Sequence, residues 1–284
     1  MTVPPALEGK RCVVTGANAG IGLEIASALA RSGADVTLVC RNPERGAVAA
    51  AAIRDATGNR RVTLTVCDVG EPRDVRACCE TLRAGDRRID VLVNNAGIYA
   101  PRRHLTPAGR EQMLAVNHLG PFLMTNLLLD RLDGGRVITT SSGAHAMAKM
   151  DLNDLDAARR FSAFRQYGVT KLANILFTRE LARRGRDRGI VATCFHPGAV
   201  GSEFGQDDPG LMRFAMRLAR RFLRTPAQGA DSGIWLATAP EAGSLSGQYV
   251  VDRRVQTPRG QGTDDALAAA LWDASARLVG LEAS

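Results

Sequence analysis

The sequence predicts a three-layer α/β fold: a doubly wound parallel sheet of about seven strands, helices on both faces, and a helical lid over one end. Short β-branched runs alternate with amphipathic helical stretches along the chain, the pattern of repeated βαβ units. Most of those runs are apolar throughout, as strands are when helices bury both of their faces. The expected strands are Arg11 to Thr15, Asp35 to Cys40, Val62 to Val66, Ile89 to Val93, Arg136 to Thr140, Ile190 to Phe195 and Gln248 to Val250. Helices are expected to begin near Gly20, Pro43, Glu71, Pro107, Phe161, Asp208 and Pro226. Pro72, Pro107 and Pro226 suit such starts, because a first-turn residue has no intrahelical partner for an N–H. No linker or low-complexity stretch divides the chain, so residues 1–284 read as one domain, with the lid at about 203–225.

At 284 residues, 45% hydrophobic and 23% charged, the chain can bury a large core and is neither disordered nor a coiled coil. Its net charge of +8 brings phosphates, nucleic acid and anionic lipid into consideration. With no aromatic platform and no nucleic-acid module, the charge is assigned to cofactor phosphates and solvated arginine faces, not to DNA or RNA. Lysine is scarce: only Lys10, Lys149 and Lys171. Cys12, Cys40, Cys67, Cys78, Cys79 and Cys194 form no C-x-x-C pair, so neither a disulfide framework nor zinc is expected. His104 and His118 lack metal-ligand spacing, and no metal is expected. No apolar run reaches the roughly 18 residues of a membrane span, and Met1 to Lys10 lacks a secretory pattern. A cytoplasmic chain without a transmembrane segment is expected.

Directly after the first strand comes Thr15-Gly16-Ala17-Asn18-Ala19-Gly20-Ile21-Gly22, followed by a helix. Glycines serve where backbone turns sharply, approaches a pyrophosphate and packs helix against strand, while the helix start supplies free N–H groups. In this position the turn points to a Rossmann-type dinucleotide site. Tyr167-Gly168-Val169-Thr170-Lys171 opens a later helix, and Tyr and Lys at i and i+4 share one helix face. With three tyrosines and three lysines, chance supplies such a pair roughly 0.03 times per chain. An ammonium near the phenol is expected to favour its ionised form and bring it toward a useful range.

The G-x-x-x-G-x-G spacing, Asn94-Asn95-Ala96-Gly97 after the fourth strand, Tyr167 with Lys171, and His196-Pro197-Gly198 after the sixth strand together resemble the short-chain dehydrogenase/reductase family. The likeness runs from Arg11 to the C-terminus. Leu271-Trp272-Asp273-Ala274-Ser275 and the long stretch from Ser142 to Tyr167 look most like the retinol dehydrogenase and WW-domain oxidoreductase branch. Neither the N-terminal anchor nor the WW modules of vertebrate members is expected here. By this resemblance Tyr167 is the general acid in carbonyl reduction and the base in alcohol oxidation, Lys171 also binds the nicotinamide ribose, Ser142 binds the substrate oxygen, and Asn117 holds a proton-relaying water. Ser142 is preferred to Ser141 as the second serine after the fifth strand. The resemblance also implies cofactor contacts at Gly16, Asn18, Gly20, Ile21, Gly22, Asp68, Val69, Asn95, Ala96, Gly97, Pro197, Gly198, Val200 and Ser202. Ser202 stands where the family often has threonine.

The second strand ends Val39-Cys40-Arg41-Asn42, with arginine where an NAD-selecting enzyme often places an acid. A guanidinium can fork onto a 2'-phosphate, so NADP (NADPH) is the expected cofactor. Gly210 to Arg224 carries a wide apolar face flanked by five arginines and reads as the lid, with a membrane-surface helix as the rival. His145, Phe204 and Phe214 are expected at the substrate. The function expected is an NADP-dependent oxidoreductase moving a hydride between nicotinamide and a carbonyl or alcohol of a hydrophobic small molecule. Non-redox elimination or cyclisation on the same scaffold is the alternative, and a dinucleotide-sensing protein is disfavoured by the full residue set. Helices at Pro107 to Asp130 and Tyr167 to Arg183 could pair across a two-fold axis in a homodimer.

Overall fold

The computed structural model describes residues 7–85, 87–200 and 223–281. The first half runs β1 (Arg11–Thr15), α1 (Gly20–Arg31), β2 (Asp35–Cys40), α2 (Pro43–Thr57), β3 (Val62–Val66), α3 (Pro72–Arg83) and β4 (Val91–Asn94). A helical stretch follows in three parts: α4 (Gln112–Leu114), a π-helical turn (Ala115–Leu119) and α5 (Gly120–Leu127). Then come β5 (Arg136–Thr140), α6 (Ala163–Arg184), β6 (Val191–His196), α7 (Pro226–Thr238), β7 (Tyr249–Val251), β8 (Arg254–Gln256) and α8 (Asp265–Leu278).

The strands form one sheet in the order β3-β2-β1-β4-β5-β6-β7-β8, parallel except for the antiparallel β7–β8 pair. Alternate side chains of each strand enter opposite layers. Cys12 and Val14 of β1, Val36 and Leu38 of β2 and Ile138 of β5 pack with Ile25 and Leu29 of α1 and Ile53 of α2. Val13, Val39, Leu92 and Val137 face the other way, onto Leu82 of α3, Phe122 of α5, Leu176 of α6 and Trp272 of α8. Both strand faces are thus buried, which is why the runs are apolar throughout. The winding reverses between β1 and β4, and that reversal opens a crevice beyond their carboxyl ends. At the amino ends, Asp35 pairs with Arg61 and Arg87, and Asp90 with Lys10 and Arg88.

Several elements differ from the sequence expectation. β4, β6 and β7 begin one or two residues late. Pro107 starts no helix: it lies in a turn closed by Gly109 N–H donating to Thr106 O at 2.8 Å. The helix waits for a cap, since the buried Glu111 carboxylate accepts from the N–H groups of Met113 and Leu114 at 2.9 and 2.8 Å. The eighth strand, Arg254–Gln256, is exposed and offers no apolar run to read. A C-terminal helix, α8, was not among the expected elements. The helix expected near Asp208 and residues 203–222 of the lid lie outside the described residues.

Candidate active site

The turn after β1 is built by close backbone approach. Gly16 takes φ +64, and a Cβ there would stand 2.9 Å from Ala96 Cα. A Cβ on Gly22 would lie 2.4 Å from Gly16 O and 2.5 Å from Asn95 Nδ2, so helix, turn and the β4 loop meet without room for a side chain. Thr15 Oγ1 accepts from the N–H groups of both Asn95 and Ala96 at 3.0 Å. Asn95 returns its amide to Thr15 O at 3.1 Å and takes Thr140 Oγ1 on its own oxygen at 3.4 Å. The ends of β1, β4 and β5 are thereby laced together at the winding reversal. Gly20 is different, for a Cβ there meets nothing within 4 Å. No side chain caps α1 at Ala19 and no acid stands in its first turn. Its first amides, at Gly20, Ile21 and Gly22, have no intrahelical acceptor, a donor set that fits a dinucleotide diphosphate.

Beyond β5 the two serines part company. Ser141 is buried and donates to Lys171 O at 2.8 Å, inside α6. The Ser142 hydroxyl lies beside the Tyr167 phenol, close enough to favour its charged form, and accepts from Ala144 N–H at 3.3 Å. Tyr167 meets the edge of the Tyr99 ring at 5.9 Å between centroids. One turn on, Lys171 is buried, donates to Thr140 O at 3.2 Å and stands 5.5 Å from the Tyr167 ring centroid. A Cβ on Gly97 would lie 3.3 Å from Lys171 Nζ, which places the ammonium beside the Asn95-Ala96-Gly97 loop. Burial holds the Lys171 ammonium down to about 8. Burial also pushes the Tyr167 phenol up, with the neighbouring Ser142 hydroxyl opposing. The expected drop at the phenol is therefore absent in this state, because an apolar surround penalises the charged form of both groups.

Asn117 sits in the π-helical turn with no exposure. Its Oδ1 accepts from Ile98 N–H at 2.7 Å, and its Nδ2 donates to Ile98 O at 3.0 Å and to Thr170 Oγ1 at 3.1 Å. The side-chain amide is committed to holding this loop against α6. The main-chain carbonyl is another matter: four residues on stands Pro121, which has no N–H to give it.

The remaining expected residues are spread around this centre. Cys40 is buried under the glycine turn, where burial pushes its thiol up and the nearby amides of Ala17 and Asn18 oppose. Arg41 is turned outward and lies 3.7 Å from Asp68, whose other oxygen accepts from Gly70 N–H at 2.9 Å. Val69 is buried against Gly120. Pro197 and Gly198 follow β6, and Val200 pairs with Arg224, whose guanidinium bonds Asp252. His145 is buried and has both ring nitrogens engaged, Nδ1 on Ser142 O at 2.7 Å and Nε2 on Arg259 N–H at 3.2 Å. That leaves its nitrogens none for a substrate oxygen, although its ring lines a cavity of about 660 Å³ beside Gly143. The cavity is bordered by Tyr249, Arg254, Gln256 and Arg259, a mixed surface and not a purely apolar one. Ser202, Phe204 and Phe214 lie outside the described residues. Sequence reasoning missed Thr15 and Thr140 as organisers of the site, since a buried hydroxyl or a carbonyl at a strand end carries no spacing signal, and it named His196 only as part of the loop motif after β6.

Residues 10–209 match the family model described as short chain dehydrogenase. Mouse retinol dehydrogenase 11 is 37% identical over 278 residues, covering 97% of this chain and 88% of its own. The provisionally named daunorubicin C-13 ketoreductase DnrU of Streptomyces sp. (strain C5) is 40% identical over 289 residues, covering 99% of each chain. A Burkholderia cenocepacia short chain dehydrogenase solved in complex with NADP superposes with a TM-score of 0.70 at 29% identity, covering 87% of this chain and 97% of that one. The chain belongs to the short-chain dehydrogenase/reductase family, in its retinol dehydrogenase-like branch. The family is one of oxidoreductases that use nicotinamide cofactors. Among the described residues no helix is long and apolar enough to cross a membrane.

Proposed function

We propose that residues 1–284 act as one catalytic domain, an NADP(H)-dependent oxidoreductase acting on a carbonyl or alcohol of a largely hydrophobic small molecule. The observation that carries this reading is the meeting of Ser142 and Lys171 at Tyr167, with Lys171 Nζ 5.5 Å from the Tyr167 ring centroid and next to the loop that carries Gly97. The names of the Streptomyces and mouse relatives, a ketone reductase and a retinol dehydrogenase, support a carbonyl or alcohol substrate.

The nicotinamide, when bound, supplies or accepts the hydride. The first amides of α1 and the turn at Gly16, Gly20 and Gly22 hold the diphosphate, Arg41 meets the 2'-phosphate, and Asp68 and Val69 flank the adenine. Ser142 orients the substrate oxygen toward Tyr167, whose hydroxyl gives its proton to that oxygen in reduction and takes it back in oxidation. Lys171, still mostly protonated at neutral pH with a value of about 8, stabilises the phenolate that results. A water held on the Asn117 carbonyl passes the proton onward, since the Asn117 amide is spent on Ile98 and Thr170.

NADPH absorbance followed with a panel of aliphatic and aromatic ketones and aldehydes tests the reading. One NADPH is consumed per alcohol formed, and Tyr167→Phe lowers turnover by about 10² to 10⁴ while cofactor affinity is kept. Unchanged turnover in Tyr167→Phe, under conditions where hydride transfer limits the rate, removes the acid–base role. Product without loss of NADPH absorbance replaces redox with elimination or cyclisation.

A further inference from the structure

One peptide group in this site is held at both of its polar ends by imidazoles. The peptide joins Ser142 to Gly143. Its carbonyl, Ser142 O, lies 2.7 Å from His145 Nδ1. Its N–H, on Gly143, donates to His196 Nδ1 at 3.2 Å. The same His196 nitrogen accepts a second amide, Gly198 N–H at 3.3 Å, and His145 Nε2 accepts Arg259 N–H at 3.2 Å. These four bonds dictate the proton positions. A nitrogen that accepts an amide carries no proton, so His145 is the Nδ1–H tautomer and His196 the Nε2–H tautomer, both neutral.

We infer that His145 and His196 are positioning residues: in opposite neutral tautomers they clamp the Ser142–Gly143 peptide and so fix the Ser142 hydroxyl against Tyr167. His196 ends β6 and ties the serine loop to the Pro197-Gly198 loop, while His145 ties it to the segment after β8. The inference rests on the reading of Ser142 and Tyr167 given above. Its geometric half, the two tautomers, stands or falls separately.

The clamp is sensitive to acid. A proton on His196 Nδ1 would face two amide hydrogens, and one on His145 Nε2 would face the Arg259 amide, so protonation breaks three of the four bonds. Among the described residues, the charged and titratable groups facing His196 are Arg224, Asp252 and His145, and His145 faces Arg259 and the ring of Tyr249 at 5.1 Å. Burial first, then the nearby arginines, hold both imidazoles below their ordinary value of 6.5. With the folded value depressed, the unfolded chain takes the proton first. The clamp and the stability it gives are complete above about 6.5 and are lost as pH falls below it through the folded values.

The test pairs a spectrum with a rate profile on the full chain. A long-range proton–nitrogen correlation spectrum at pH 7.5 resolves the four imidazoles, assigned by single substitution. The expected spectrum shows His145 protonated on Nδ1 and His196 on Nε2. Turnover in His196→Phe, which lacks an acceptor, falls roughly tenfold or more through misplacement of Ser142. His196→Asn supplies Oδ1 in place of Nδ1 without a titrating group, restoring most of that loss and moving the acid limb of the kcat profile to lower pH. Both histidines in one tautomer, or averaging between two, overturn the clamp whether or not any carbonyl is reduced. An acid limb unchanged in His196→Asn overturns the positioning role even if the tautomers are as stated. Should His196→Phe fail to fold, the Asn variant and the spectrum decide alone.

Discussion

Lys171 is an ammonium that folding by itself gives no reason to bury. Its value is held down from 10.5 to about 8 by loss of solvent, which corresponds to roughly 3 kcal/mol of instability at neutral pH. The sign follows from linkage: the unfolded chain binds this proton more readily, so the penalty is absent above about 10.5 and grows as pH falls toward 8. Lys171→Met should therefore be at least as stable as the parent to urea at pH 7, the lost bond to Thr140 O limiting the gain, while its turnover collapses. The stability difference between the two should shrink by pH 10. A variant clearly less stable at pH 7 would mean that the bond to Thr140 outweighs desolvation. Arg41 poses the opposite case, an exposed guanidinium whose 3.7 Å pairing with Asp68 is worth at most about 1 kcal/mol. A phosphate can outbid that partner. NADPH should bind roughly tenfold to more than a hundredfold tighter than NADH, and Arg41→Ala should abolish most of the difference in a fluorescence titration. Equal affinities in the parent would show that the arginine serves Asp68 alone.

At the level of elements, the π-helical turn Ala115–Leu119 has a local cause in the sequence. Pro121 cannot donate to the carbonyl of Asn117 and its ring crowds that group, so the helix widens just before it. Pro121→Ala should let an ordinary helical turn form, leaving unfolding free energy within about 1 kcal/mol of the parent. Turnover should drop at least tenfold, because the Asn117 carbonyl regains a backbone partner. Gly120→Ala would do something different, since a Cβ there would lie 2.0 Å from Val69 O and the loop after β3 would have to move. Proline within the helical pattern reads as a disturbance, but not as a π turn, because a missing N–H can equally be met by a kink or a break. The sequence made the parallel strands legible for a simpler reason: Val13, Leu92 and Val137 are buried whichever face they take. It hid β8, whose Arg254, Val255 and Gln256 are all exposed. It misled at Pro107, where a helix-start residue serves a turn and Glu111 does the capping. The Tyr167 and Lys171 pair could be read from spacing; the His145 and His196 clamp could not, because it joins three chain segments that only folding brings together.

In the whole molecule, the described candidate residues cluster about the carboxyl ends of the strands and the loops that leave them. The amino ends carry ion pairs around Asp35 and Asp90 and none of these residues. Seen as a handle for surface chemistry, the scarcity of lysine becomes useful. Lys171 is sealed inside the site, which leaves two described lysines within reach of an amine-reactive support. Lys10 lies at the amino-end face, its side chain 49% exposed, while the exposed Lys149 follows the short helical turn Gly143–Met147 that begins just after Ser142. Coupling through Lys149 would anchor the chain three residues from Ala146, which borders the cavity; coupling through Lys10 would anchor it at the amino-end face. Lys149→Arg keeps the charge and removes the unwanted attachment point. Immobilised on an activated ester surface, that variant should retain a larger fraction of its solution turnover than the parent, and equal retention would mean that attachment at Lys149 does not obstruct the site.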